Sequence, residues 1–443
     1  MIKCTGICSK CGKCQGSAMV SGANDRKTKM LAYPDGFKAD DGEKGLGVAF
    51  DIGTTTVVGM LWDLEMGEQI ATTAKTNPQN EFGMDVISRI TYCTKEEKNY
   101  KHLQALIVKC LNEILMELCE KTGAVAENIT AAAVCGNTTM SHIFAGYSPV
   151  NLAKAPFTPE YQGMLNITAK EAGLNIGEYA KVSVVPNIAG HVGGDITAGI
   201  VASKLLECQG LTVFIDLGTN GEIVLTDGTH SYTCSTAAGP AFEGAAIKCG
   251  MRAALGAIES VIIKDGEVYT KTIEDTEAEG ICGSGLIETV AQMLDANIIN
   301  QKGRMAVATE AEAKGIDSRL IKRLVDIDGE RAFTLQEKTD GDDIVITQSD
   351  IRELQLAKGA IKAGVQIMLK ESGKSEKDIC RVLVAGAFGN YIDKRSAVRI
   401  GLLPDIPLEK IISVGNTAGA GVSMIMTSLK ERRLSKFLLC CNM

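Results

Sequence analysis

The sequence predicts an α/β fold built from two related halves, and two observations predict it. From residue 47 onward, strand-like apolar runs alternate with helical runs, the pattern of layered α/β domains. One device also occurs twice. "VAFDIGTTTVVGMLW" (48–62) and "TVFIDLGTNGEIVL" (212–225) both read apolar run, Asp, apolar residue, Gly, Thr, polar turn, apolar run. Asp51 and Asp216 occupy the equivalent places.

Taken in order, the chain opens with a cysteine-rich segment, residues 1–14, and a linker, residues 15–46, rich in Gly, Asp and Lys and without apolar periodicity. The first half, 47–209, starts with the strand around Asp51. A helical stripe follows over 96–121, carried by Leu103, Leu106, Ile107, Cys110, Leu111, Ile114, Leu115 and Leu118. "AAAVC" (131–135) reads as a strand running into "GNTTM" and a helix. "KVSVVP" (181–186) is another strand, and "GGDITAGIVASKLL" (193–206) a helix started by glycines. The second half, 210–443, opens with the strand pair around Asp216. It closes with two strand–glycine–helix joints, "VLVAGAFGNYID" (382–393) and "ISVGNTAGAGVSMIM" (412–426).

Composition narrows the function. At 443 residues, 45% hydrophobic and 23% charged, the chain can fill two or three domain cores. A net charge of −8 advertises no basic face for nucleic acid or anionic lipid. No apolar run reaches the ~18 residues of a membrane span, and "MIKCTGICSKCGKC" lacks a signal-peptide core. A cytoplasmic protein with no nucleic-acid or membrane partner is expected. Its fifteen cysteines then read as reduced thiols or metal ligands. Cys110, Cys119, Cys208 and Cys249 sit in apolar contexts, where free Cys packs as a small hydrophobe. Cys440 and Cys441 at the tail stay open between packing and function.

The repeated turns suit a phosphate. A phosphate needs several backbone N–H donors aimed at one point; glycine permits the close approach, and threonine hydroxyls add donors without bulk. An Asp at the strand end can hold Mg²⁺, which prefers carboxylate oxygens together with substrate phosphates. Gly53, Thr54, Thr55 and Thr56 with Asp51 supply those parts once, and Gly218, Thr219, Asn220 and Gly221 with Asp216 supply them again. Two ordinary β-hairpins are the alternative, since Gly and Asn favour turns. No GxxxxGK[ST] loop is present. Glu222 follows the second turn, either to orient an attacking water or as an exposed strand residue. His102 and His142 fall in predicted helices as packing or surface residues, while His191 lies in a loop near Asp195.

Five segments in order resemble the superfamily of acetate and sugar kinases, heat-shock chaperone ATPases and actin. "DIGTTT" is similar to its first phosphate motif, "DLGTNGE" to its second, and "PNIAGHVGGDITAGI" (186–200) to its first connecting motif. "LVAGAFGNYID" resembles its adenosine motif, with Gly386-Ala387 where paired glycines are usual, and "VGNTAGAG" its second connecting motif. The resemblance implies an actin-like, ribonuclease-H-like duplicated ATPase fold with Asp195 in the catalytic position. It also implies nucleoside contacts from Gly239, Gly386, Ala387, Gly389, Asn390, Gly415 and Asn416. "NPQNEFGMDVISRI" (77–90), "CGNTTMSHIFAG" (135–146), "STAAGPAFEGAAIKCGMRA" (235–253) and "ICGSGLIE" (281–288) narrow the match. Together they resemble the reductive activators of corrinoid proteins, over nearly all of 47–430. Members couple ATP hydrolysis to electron delivery onto a Co(II) corrinoid, usually through an N-terminal 2Fe–2S ferredoxin-like domain.

Here the compact run Cys4, Cys8, Cys11 and Cys14 stands before the ATPase core instead. Its C-x3-C-x2-C-x2-C spacing suits an Fe–S cluster, 4Fe–4S in the first instance, because a tight loop of thiolates can wrap one face of it. Structural zinc is the alternative, although zinc sites usually separate two CxxC pairs by a longer loop. The expected function is therefore an ATP-dependent reductive activator, with ATP, Mg²⁺ and an Fe–S cluster as cofactors. Its expected partners are a corrinoid protein and a low-potential electron donor, and a homodimer is the expected assembly. The rivals are an activator of another low-potential enzyme such as a 2-hydroxyacyl-CoA dehydratase, a small-molecule kinase in which Asp195 deprotonates a hydroxyl, and a non-catalytic nucleotide-gated module.

Overall fold

The computed structural model describes residues 44–339, 341–386, 389 and 391–437. It also describes Tyr33, Phe37 and Ala39, and the backbone of the short strands Ser17–Ala18 and Thr28–Lys29. Cys4, Cys8, Cys11, Cys14, Cys440, Cys441, Ala387 and Asn390 lie outside the described residues. The chain divides into two compact units. The first takes the described residues up to Cys208, then Asp227–Ser231 and the stretch from Val414; the second takes Gln209–Thr226 and Tyr232–Ser413.

In the first unit, β1 (Leu46–Ile52), β2 (Thr56–Asp63) and β3 (Glu68–Thr76) form an antiparallel meander. Helices α1 (Val86–Lys95) and α2 (Lys98–Thr122) follow. The chain then makes β4 (Ile129–Gly136), α3 (Thr138–Phe144), β5 (Leu165–Thr168), β6 (Lys181–Val184) and α4 (Gly194–Ala202). The sheet order is β3-β2-β1-β4-β6-β5, with β1, β4 and β6 parallel. Alternation along β1 decides what each face meets. Val48, Phe50 and Ile52 are buried in one cluster with Leu103, Ile107, Leu111 and Ile114 of α2. Asp51 falls on the opposite side.

The second unit repeats the plan. β7 (Leu211–Leu217), β8 (Gly221–Thr226) and β9 (Ser231–Thr236) form the meander, followed by α5 (Gly283–Asp295), α6 (Gln348–Glu371), β10 (Ile379–Ala385) and β11 (Ile411–Gly415). Its sheet runs β9-β8-β7-β10-β11, and β10 pairs parallel with β7. Two small three-stranded sheets, starting at Ala257 and Leu324, are inserted before α6. Val213 and Ile215 share a core cluster with Leu286 and Ile287 of α5 and Ile361 and Val365 of α6.

The last long helix, α7 (Thr417–Thr427), belongs to the first unit. It packs on α4, β1 and β4. Small residues make this possible: a Cβ added at Gly421 would stand 1.9 Å from the Ala198 carbonyl oxygen. Gly47 of β1 likewise leaves room for Met426. Among the described residues no helix is long and apolar enough to cross a membrane.

Candidate functional site

Each unit carries an aspartate at the same structural place. Asp51 is the penultimate residue of β1 and Asp216 the penultimate residue of β7, both half-buried between buried neighbours. The turns that follow are closed by their glycines: the Gly53 N–H donates to the Thr56 carbonyl and the Gly218 N–H to the Asn220 carbonyl, each at 3.0 Å.

In the first unit the sequence-predicted residues gather around Asp51. Asn416 Nδ2 donates to Asp51 Oδ2 at 3.3 Å, while Asn416 Oδ1 accepts the Gly419 N–H and caps α7. The Cys135 thiol points at Asp51 Oδ1, 3.9 Å away. Asp195 lies in the first turn of α4, its Oδ1 accepting the Ile196 N–H at 2.8 Å. The loop before it is set by Asn187, whose Oδ1 accepts the Gly194 N–H. Burial pushes the Asp51 carboxyl up to about 6 against the Asn416 hydrogen bond. Burial, with the nearby Asp51 charge adding to it, raises Asp195 as well. Among the described residues neither carboxylate has a basic partner within ion-pair distance.

In the second unit Glu222 of β8 stands opposite Asp216 in register. At 8% exposure it is buried, which corrects the exposed-strand alternative, and it accepts the Ser235 hydroxyl at 3.2 Å. Thr219 Oγ1 donates to Glu243 Oε1. Gly386, just past the end of β10, has φ 94°, and a Cβ there would lie 2.9 Å from Asp216 Oδ1 and 2.5 Å from the Leu217 carbonyl oxygen. Only glycine meets both demands. Gly239 has φ 77° and open space where a Cβ would point.

The histidines divide. His102 is exposed on α2, its ring near Phe82 and Tyr92. His142 is fully buried: Nδ1 donates to the Thr138 carbonyl and Nε2 accepts the Glu160 N–H, which leaves a neutral ring. His191 is half-buried with its ring edge-on to Phe157 at 5.0 Å. Cys93 and Cys110 are buried thiols, pushed by burial to about 11, whereas Cys380 is exposed.

Several residues that hold the first turn are not among the sequence-predicted site residues. Asn77 Nδ2 donates to the Gly53 carbonyl and the Asn77 N–H to the Thr55 carbonyl. Asn137 Nδ2 donates to Thr54 Oγ1, and the neighbouring Thr138 hydroxyl to the Ala189 carbonyl of the loop before Asp195. Arg89 of α1 donates to the Thr54 carbonyl. The segments 77–90 and 135–146 therefore brace the turn. A sequence signal existed: in α1 the buried positions are Val86, Arg89, Ile90 and Cys93, so the arginine occupies an apolar-stripe position.

The duplicated sheets, the paired Asp–Gly–Thr turns and the helices packed on them define the class: an actin-like, ASKHA-type α/β fold. Residues 210–438 match the family described as the C-terminal domain of RACo, the ASKHA domain, and residues 46–207 match the RACo middle region. The chain belongs to the RACo family. It is 37% identical over 388 residues to the corrinoid activation enzyme RamQ of Eubacterium limosum, covering 87% of this chain and 65% of that protein. It is 26% identical over 403 residues to the [Co(II) methylated amine-specific corrinoid protein] reductase of Methanosarcina barkeri, covering 84% and 68%. A solved reductive activator for a corrinoid, iron–sulfur protein superposes with a TM-score of 0.79 at 38% identity, covering 91% of this chain and 63% of that one. The chain thus spans just under two thirds of RamQ and of the solved activator.

Proposed function

We propose that this protein is an ATP-dependent reductive activator that couples ATP hydrolysis to one-electron reduction of a corrinoid protein from Co(II) to Co(I). The observation that carries the reading is the repeated strand-end aspartate beside a Gly/Thr turn, Asp51 and Asp216, in a chain whose relatives are corrinoid activators and reductases.

The donor set fits Mg²⁺–ATP. Asp51 and Asp195 are two half-buried carboxylates that share one unit without a basic counter-ion among the described residues. Such a pair is stabilised by a divalent cation, which also neutralises phosphate charge when bound. Mg²⁺ usually keeps several waters, so it needs few protein ligands; no group of three or more His, Cys, Asp and Glu able to hold a metal occurs among the described residues. The Gly53–Thr56 and Gly218–Gly221 turns would bind phosphate oxygens through N–H and hydroxyl groups. Glu222, buried opposite Asp216 and fixed by Ser235, would orient the attacking water.

Cys4, Cys8, Cys11 and Cys14 would hold the Fe–S cluster that passes the electron. An uphill one-electron step costs about 1.4 kcal/mol per 59 mV, and nucleotide hydrolysis is the source that offsets it. The experiment is stopped-flow absorbance of a Co(II) corrinoid protein mixed with anaerobically purified protein and a low-potential donor. ATP-dependent appearance of Co(I) is expected. ATP-independent reduction, or phosphorylation of a sugar or carboxylic acid without a Co(I) signal, would replace the reading with one of its rivals.

A further inference from the structure

Among the described residues Arg89 is the largest fully buried side chain, at 0% exposure. A buried guanidinium normally sits against a carboxylate, because an unpaired charge loses its hydration. Among the described residues none lies within ion-pair distance of Arg89. Its N–H groups go instead to neutral acceptors: the Thr54 carbonyl and Asn80 Oδ1 from Nη2, Gln79 Oε1 and Met140 Sδ from Nη1, each at 3.1 Å, and the Gly83 carbonyl from Nε at 2.9 Å. Burial pulls the group down to about 10, opposed by the charge of Asp85, which lies beyond ion-pair distance, so it remains a cation at neutral pH.

The local sequence is arranged around this placement. Asp85 and Ser88 form a reciprocal capping box that fixes the first turn of α1, with Ser88 one residue before Arg89. A Cβ at Gly83 would stand 2.6 Å from the Arg89 N and 2.9 Å from its Cγ. Asn77, also fully buried, ties the same stretch to the Gly53 and Thr55 carbonyls.

We infer that Arg89 is a positioning residue for phosphate: it fixes the Thr54 carbonyl and with it the Gly53–Thr56 turn, and it sets behind that turn a positive charge whose counter-ion is the bound ligand's phosphate. The inference rests on the proposal that the turn takes the phosphates of ATP. In a trans peptide the N–H points opposite to the C=O, so holding the Thr54 carbonyl from behind aims the Thr55 N–H away from Arg89, and a cation in a low-dielectric surround acts on an anion more strongly than one in water.

The test is calorimetric binding of ATP and of adenosine to the full-length wild type and to Arg89→Gln, Arg89→Lys and Asn80→Ala, with melting temperatures recorded for each. Arg89→Gln is expected to lose ATP affinity on the order of tenfold to a hundredfold, the scale of a charge-assisted contact, while adenosine affinity stays within about twofold. Arg89→Lys keeps the charge but cannot span all five acceptors, and is expected to lose ATP affinity less than Arg89→Gln does. Asn80→Ala removes one acceptor and is expected to weaken ATP a few-fold, on the scale of one hydrogen bond, without a comparable loss for adenosine. Equal losses for ATP and adenosine, or wild-type ATP affinity in the folded variants, overturn the inference and leave the nucleotide reading standing. If Arg89→Gln does not fold, Asn80→Ala decides by the same ratio. Wild-type protein that binds no ATP overturns the nucleotide reading and the inference with it.

Discussion

Asp51, Asp195 and Asp216 illustrate how little of a side chain's chemistry lies in the side chain. Asp51 and Asp195 are raised chiefly by burial, so each folded-state value lies above the ~3.9 of an unfolded chain. The folded state then binds more protons than the unfolded one between about pH 4 and neutrality, and stability contributed by these groups is lost as pH rises through that window. Melting temperature measured without divalent cation should therefore fall more steeply toward neutral pH in the wild type than in Asp51→Asn. Added Mg²⁺ favours the ionised carboxylates, so its stabilising effect should grow over the same interval; a Mg²⁺ effect larger at low pH would contradict the assignment. Asp216 has its own consequence. Replacing it by Asn removes a charge while keeping the shape, and ATP turnover should drop by about two orders of magnitude, the scale of a lost transition-state contact. Near-normal hydrolysis in a folded Asp216→Asn protein would remove the phosphate role.

At the scale of elements, the crossing of α7 on α4 is the joint most sensitive to a single atom. Gly421 faces the Ala198 carbonyl at a distance no Cβ tolerates, and both partners are helix backbone. Gly421→Ala must push the two helices apart, and Asn416, which caps α7, would lose its reach to Asp51. We expect a stability loss of at least about 2 kcal/mol, the upper range for overpacking, read as a lower urea midpoint. Gly359 supplies the contrast. It lies exposed within α6 with nothing near its Cβ position, so Gly359→Ala should stabilise the protein by about 0.5–1 kcal/mol through helix propensity alone. Opposite signs at these two helical glycines would identify close approach, rather than backbone entropy, as the reason for Gly421.

At the scale of the whole molecule, the N-terminal stretch is tied to the first unit before β1 begins. Tyr33 donates its hydroxyl to Gln69 Oε1 and sits edge-on to Trp62 at 5.2 Å; Phe37 stacks on Tyr33, and Ala39 approaches Gly67. Trp62 in turn donates to Ser423 of α7. A truncation meant to remove only the cysteines should therefore spare Tyr33. Deleting residues 1–30 is expected to leave ATP hydrolysis near the wild-type rate while iron content and Co(II) reduction disappear together. Iron retained by the truncated protein would place its ligands elsewhere, with Cys440 and Cys441 next to test. Trp62 is the sole tryptophan, so its fluorescence reports whether the Tyr33 contact survives the cut.

What the sequence determined by itself is what depends on near neighbours. An apolar run closing on a Gly/Thr turn put Asp51 and Asp216 at the ends of their strands, the turns marked the hairpins, and the 3.6-residue stripe from Leu103 to Leu118 marked α2. Repetition of the turn announced two related sheets, which the shared order of meander and parallel strand bears out. What only the tertiary structure decided depends on residues far apart in the chain. The burial of Glu222 comes from packing around β8, and the need for glycine at 386 arises because β10 ends against Asp216. The place of α7 in the first unit, which brings Asn416 to Asp51, is set by its packing on α4, β1 and β4 rather than by any local preference. Arg89 lies between these cases. Its place on an apolar stripe was legible, but the acceptor that ties it to the turn is the Thr54 carbonyl, 35 residues earlier, and backbone groups carry no mark in the sequence.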